Sequence, residues 1–298
     1  MPLLEGVREL PRAILRFHKS EAIQNLLKRM VWVALYTGIL CYAEINYLNL
    51  NVKIDTIFIS LLGTLLSLLL VFRTNTAYDR FWEGRKLWGS LINQSRSFAM
   101  TVHALLPPNA DVEREYLARR LSGFAFALKG HLRDNVIFQE LFGFEEAALQ
   151  RFKRKLHVPN AIANDLLSYL FNLVRTGIVS EVNMRNIKAH HDALVDITGA
   201  CERIKRTPIP HSYGFFIRLF IVVYVGILPF LLIDKYAYYT IPAVIMSAYA
   251  LMGIEMIARE IEEPFGLDAN DLPLDQMSKT IRLNVHEILE VDLPNHDF

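Results

Sequence analysis

The chain reads as all-α: an integral membrane protein with four transmembrane helices and a large helical cytoplasmic region. Three observations predict that class. Of 298 residues, 52% are hydrophobic, too many for an ordinary soluble domain, yet 21% are charged, too many for spans alone. The apolar residues are segregated into two pairs of stretches, each close to the ~20 residues that cross a bilayer as helix. Almost no period-2 alternation is present, and the segment between the pairs is helical in pattern throughout.

The first residues mix basic and apolar types around Pro2 and Pro11, without the apolar core of a secretory signal. Span one is expected over residues 31–52, interrupted by Glu44, and span two over 56–72, with no charge. Span three, 214–233, carries Arg218 near its start, placed to snorkel to the interface. Span four, 236–254, opens with Tyr236, Tyr238 and Tyr239, which suit a membrane interface. Buried helices of a soluble protein are the alternative, but four such stretches are hard to bury in a chain this short. The expected organisation is a cytoplasmic N-terminal segment (1–30), a helix pair (31–72), a cytoplasmic helical region (73–212), a second pair (213–257) and a cytoplasmic C-terminal segment (258–298). Arg8, Arg12, Arg16, Lys19, Lys28 and Arg29 precede span one, while the links within the pairs carry only Lys53 and Lys235. The positive-inside rule therefore puts both termini in the cytoplasm of a multi-pass cell-membrane protein.

No proline occurs between Ile54 and Pro107, so span two is expected to continue as one helix over 56–106. It would be on the order of 75 Å long. Pro107 and Pro108 end it. A helix begins near Val112, with Leu117, Leu121, Phe124 and Phe126 as its apolar positions. Another is expected over 144–156. Asn160 is expected to cap the next, which closes at Gly177. Ser180 is expected to cap a helix reaching Lys205, and Pro208 and Pro210 break the chain after it. The tail holds a helix over 274–289.

Net charge is +1 and the basic residues form no aromatic-interleaved patch, so no nucleic-acid partner is expected. Cys41 and Cys201 match no metal, redox or disulfide spacing. No phosphate loop, H-E-x-x-H, C-x-x-C or G-x-S-x-G is present, and no enzyme is expected. His190 and His191, near Asp192 and Asp196, point about 100° apart on a helix and read as part of a solvated face.

Span two is the most informative stretch. Thr64, Leu68 and Phe72 follow at i, i+4 and i+8 on one stripe, which Ser60 extends. Gly63 and Ser67 lie on a neighbouring stripe, where another helix could approach closely. A stripe turning from polar to bulky apolar suits a pore wall with a hydrophobic constriction that gates by dewetting. It equally suits packing inside a bundle. A pore would need several copies around an axis. Asp55, just above the stripe, is a candidate for the pore mouth together with Ser60.

The runs FRTNTAYDRFWEGRKLWGSL (residues 72–91), CERIKRTPIPHSY (201–213) and EEPFGLDANDLP (262–273) resemble the bestrophin family, in the compact form of its bacterial members. The resemblance covers nearly the whole chain, in order and with matching spacing. It implies a homopentameric ion channel passing small monovalent ions through a long axial pore. Carried over by position, Thr64, Leu68 and Phe72 would form the hydrophobic neck, and Val182 the cytoplasmic constriction. Thr64 departs from the bulky apolar neck residues of many members, which implies a wider or wetter upper neck. In animal members a calcium clasp surrounds the P-F-G segment. The matching positions are Asp268 and Asp271, with Glu260 and Glu263 contributing backbone. Here Leu267, Ala269 and Asn270 break the acidic run, and calcium needs six to eight oxygens. The same residues read as a structural turn with no ion, and no other cofactor is implied. Some relatives resemble chloride or other anion channels and others sodium or potassium channels. Rings of five Asp55 or five Lys53 would bias either choice. The partners implied are further copies of the chain, membrane lipid and permeant ions. A secondary transporter and a membrane-anchored scaffold or sensor are the rival readings. The first would show midplane charges in an inverted repeat, and the second no ion flux.

Overall fold

The computed structural model describes residues 21–48 and 56–293. The described residues form helices joined by turns, without strands. They belong to two compact units. One comprises the chain up to Asp79 together with Ile209–Glu262, and the other comprises Arg80–Pro208 with the chain from Glu263 onward.

The first unit is apolar. Helix α1 (Glu21–Ala43) runs into a π-helical turn (Glu44–Leu48). Helix α2 (Thr56–Leu105) contributes its residues up to Asp79. Helices α7 (His211–Tyr236) and α8 (Thr240–Glu262) complete the unit. Helix α8 packs on both α1 and α7. Leu26, Met30, Leu66, Leu70, Ile217, Ile221, Val225 and Val244 form the core. Helix α1 starts about ten residues before the expected span because Leu26 and Met30 already face that core and Ile23, at helical spacing before them, is also buried. The end of that span, with Lys53 and Asp55, lies outside the described residues.

Among the described residues, three stretches are long and apolar enough to cross a membrane: Ile23–Tyr47, Ile57–Leu105 and the 52-residue His211–Glu262. The last is divided by a 3₁₀ turn (Ala237–Tyr239), entered with Ala237 at a left-handed φ of 45°. The two helices it leaves, α7 of 26 residues and α8 of 23, each exceed the ~30 Å hydrocarbon thickness at 1.5 Å per residue. Trp32, Ile39, Ile57, Leu61, Phe215, Val222 and Met246 are exposed on this unit, a surface suited to lipid or to another chain.

Inside the unit sits a cluster of charges. The Arg73 guanidinium is 3.5 Å from Glu262 Oε2 and 3.7 Å from Glu255 Oε1. Arg218, whose side chain stays partly exposed, also reaches Glu255 Oε1 at 3.5 Å. The Ile209 N–H donates to Glu262 Oε1 at 3.0 Å. A Cβ at Gly214 would collide with Arg73 Nη1, so the glycine lets the guanidinium lie against α7.

The second unit is built around α3 (Asp111–Leu132), on which α5 (Val158–Arg175), α6 (Glu181–Arg206) and α9 (Leu274–Ile288) pack. Residues 121–130 of α3 are buried on every side, which marks a central helix. Its buried charged residues, Arg114, Arg120 and Lys129, are paired. Lys129 Nζ lies 2.7 Å from both Glu140 Oε1 and Asp275 Oδ1. Arg120 Nε donates to Asp165 Oδ2 at 2.8 Å and its guanidinium stacks on Tyr116 and Phe144.

Sequence boundaries in this unit survive with three changes. Ser180 does cap α6, its Oγ accepting from the Asn183 N–H at 3.3 Å, and Gly177 follows α5 at φ 76°. Asn160 does not cap α5. His157 does, its Nδ1 accepting the Asn160 N–H at 3.2 Å, and Pro159 occupies the first turn, where its missing N–H costs nothing. The helix expected over 144–156 shortens to α4 (Glu146–Lys153), because Phe144 turns inward and meets the Phe152 ring edge-on at 5.9 Å. His191 does not belong to a solvated face. It is buried, and its Nε2 lies 2.9 Å from the Ala163 carbonyl oxygen, to which it donates.

Candidate pore-lining stripe and neighbouring sites

Helix α2 presents Ser60, Thr64, Leu68 and Phe72 together on an uncovered face. Leu68 is 50% and Phe72 56% exposed. The opposite face, with Ile59, Leu66, Leu70 and Arg73, is buried in the unit's core. This division follows from the sequence, since the two stripes are offset by about half a turn. The Thr64 hydroxyl donates to the Ser60 carbonyl at 2.9 Å, and Ser67 donates to Gly63 at 2.8 Å. The Thr64 hydroxyl proton is therefore spent inside the helix, leaving methyl and lone pairs for the outer face. Gly63 does permit a close approach, because a Cβ there would lie 2.7 Å from the Tyr224 hydroxyl on α7.

Val182 is the second residue of α6 and is 74% exposed. It belongs to the second unit, whereas the stripe belongs to the first. Asp55 lies outside the described residues.

Asp268 and Asp271 are brought together. Asp271 Oδ2 accepts the Asp268 N–H at 2.6 Å, and the Asp271 N–H donates to the Asp268 carbonyl at 3.0 Å. The Glu263 carbonyl accepts from Gly266 at 3.4 Å, and the Pro264 carbonyl from Leu272 at 2.9 Å. One carboxylate oxygen and three carbonyls of the segment thus close the turn itself. Glu260 belongs to the first unit. Phe265 is buried, and a Cβ at Gly84 would stand 3.1 Å from its ring.

Two groupings escape sequence reading. One is the Arg73–Glu255–Glu262 cluster. The other joins His131, His157 and Glu202, where both imidazole Nε2 atoms reach Glu202 Oε1, at 2.6 and 2.8 Å. Burial first, then its stacked neighbour His157 and Lys205, hold His131 below the usual imidazole range against the pull of Glu202. Burial pushes the Glu202 carboxyl up, but the hydrogen bonds and charges of the two imidazoles outweigh it and leave the group below its ordinary value. No motif spacing could show this, for the histidines stand 71 and 45 residues from the glutamate.

The family model for bacterial/fungal bestrophin proteins matches residues 6–287. A voltage-dependent anion channel-forming protein of Synechocystis sp. is 37% identical over 238 residues, covering 76% of this chain and 75% of that one. One of the same description from Nostoc sp. is 34% identical over 285 residues, covering 94% and 92%. A crystal structure of a bacterial bestrophin homologue from Klebsiella pneumoniae, carrying one substitution, superposes with a TM-score of 0.83 at 27% identity, over 88% of this chain and 98% of that one. With the family's model spanning nearly the whole sequence, this chain belongs to the bacterial/fungal bestrophin family.

Proposed function

We propose that the chain is one subunit of a homopentameric anion channel of the cell membrane, with both termini cytoplasmic and α2 lining the axial neck. The observation that carries this reading is the uncovered stripe. Leu68 and Phe72 are bulky, apolar and exposed on a helix whose other face is fully packed. A monomer would leave that stripe against lipid or water, whereas five copies around an axis would turn it into a ring. Rings of leucine and phenylalanine form a constriction that empties of water unless widened, and so gate by dewetting. The names of the relatives from Synechocystis and Nostoc support anions as the permeant species. The neck offers them little grip, because the Thr64 hydroxyl proton is already donated to Ser60. Weak binding favours passage over capture. Val182 is proposed as the exit constriction of the cytoplasmic vestibule. The Asp268–Asp271 segment is proposed as a structural turn, since Asp271 Oδ2 and the Asp268, Glu263 and Pro264 carbonyls already accept the hydrogen bonds that close the loop, whereas calcium takes six to eight oxygens.

The test is single-channel recording from purified protein in planar bilayers under a KCl gradient. Discrete currents reversing toward the chloride equilibrium potential support the reading. Reversal toward the potassium potential would transfer it to cations. Silence from pentameric, folded protein would favour the transporter or scaffold.

A further inference from the structure

We propose that His131, His157 and Glu202 form a binding site for one divalent first-row transition-metal ion of the zinc type, within the second unit and independent of the pore. The three ligands come from three elements: the last turn of α3, the cap of α5 and the C-terminal part of α6. Their ligand atoms all lie within 4.8 Å of one another. The imidazole rings stack at 4.3 Å with planes 28° apart. Both Nε2 atoms are bonded to a single carboxylate oxygen, so their lobes converge on one point. An ion at that point would lie 2.6 and 2.8 Å from the two Nε2 atoms, so the Glu202 side chain must rotate away and the imidazoles close in by roughly half an ångström to reach metal–ligand distances of about 2.0–2.2 Å. All three side chains are half-buried, which leaves one side for water as a fourth ligand. Two imidazoles with one carboxylate favour zinc or its neighbours over calcium or magnesium, which prefer oxygen alone.

Two features oppose binding, and each gives a check. Without metal, His157 must carry its proton on Nε2, because Nδ1 accepts the Asn160 N–H. Coordination through Nε2 moves that proton to Nδ1 and gives up the cap, weakening affinity by roughly tenfold. Arg206 Nη2 lies 3.5 Å from Glu202 Oε1, on a largely exposed side chain. It competes with a cation, so Arg206→Ala should tighten binding. Lys205 faces the other way in part, its Nζ donating to the His131 carbonyl at 3.0 Å and to Asp134 Oδ1 at 2.6 Å. Cys201, beside Glu202, contributes no thiolate, since its burial pushes it up to about 12.

The experiment uses the full chain in detergent, stripped with chelator. Zinc is titrated calorimetrically, cobalt by its visible spectrum, and the wild-type zinc complex is read by X-ray absorption. One ion per chain is expected, with imidazole scattering and no sulfur. Binding should weaken at least tenfold in His131→Gln and Glu202→Gln, and tighten in Arg206→Ala. Absence of saturable binding would overturn the proposal. So would sulfur ligation, or unchanged affinity in folded His131→Gln and Glu202→Gln, which would assign any bound ion to other surface histidines. The wild-type absorption spectrum decides even where a variant fails to fold.

Discussion

Arg73 holds a full charge among leucines and isoleucines, answered by Glu255 and Glu262, which are also buried. Removing the guanidinium takes from Glu255 and Glu262 the cation they share. Arg73→Met is therefore expected to destabilise the first unit by about 3–5 kcal/mol, toward the lower end because Arg218 still reaches Glu255. A thermal melt of the detergent-solubilised protein measures it, and an unshifted midpoint would show that the cluster holds nothing together. Leu68 and Phe72, proposed to line the neck, answer to a different readout. Leu68→Ala with Phe72→Ala should raise single-channel conductance while leaving the melt nearly unchanged, since both side chains are already exposed. Equal conductance in the double variant would return them to lipid or packing contacts. The stripe was legible because i, i+4 and i+8 on one helix is a local fact. The Arg73 cluster was not, because its acids lie 182 and 189 positions away (255 − 73 and 262 − 73) and only tertiary packing brings them near.

At the scale of elements, α3 packs closely against its own exit loop. A Cβ at Gly130 would meet the Asn135 carbonyl and Val136 Cα, both at 2.7 Å, so the loop leaving α3 folds back against its own last turn. These are backbone atoms that cannot rotate aside. Gly130→Ala should cost about 1–3 kcal/mol, as overpacked cores do. A melt that matches wild type would mean that the loop can move outward freely. Element boundaries were readable where proline or a side-chain hydroxyl punctuates the chain. Pro107 ends α2 at Leu105, and Ser180 starts α6. They were less readable where an unusual residue does the work, as His157 does at α5. They failed at the start of α1, where a charged-looking segment hides Ile23, Leu26 and Met30.

At the scale of the molecule, acid should loosen the second unit in two stages. Burial first, with Arg282 and Arg119 nearby, holds His286 below its ordinary 6.5 despite the Asp292 carbonyl beside it. The unfolded chain then takes up that proton earlier than the folded one, so the stability present above 6.5 declines as pH falls toward the lowered folded value. Asp275 behaves likewise further down. Burial pushes it up, but Lys129 and Arg133 outweigh that and bring it from 3.8 to about 2, so its contribution fades only between those values. The melting temperature should drop between about pH 7.5 and about pH 5.5, with a shallower drop in His286→Gln. A rise on acidification would contradict the assignment.

The chain visits its two units alternately: up to Asp79, then Arg80–Pro208, then Ile209–Glu262, and the second unit again from Glu263. A ribosome delivers these pieces in that order. Leu274, Met277, Ile281 and Val285, which belong to the same core as the centre of α3, emerge roughly 70 residues after Pro208. At ~5–20 residues per second the nascent chain waits several seconds with that core incomplete. A stop codon just before Leu274 would therefore release a protein with every span already made and its largest apolar core still open, a substrate for chaperones and proteases rather than a shortened channel.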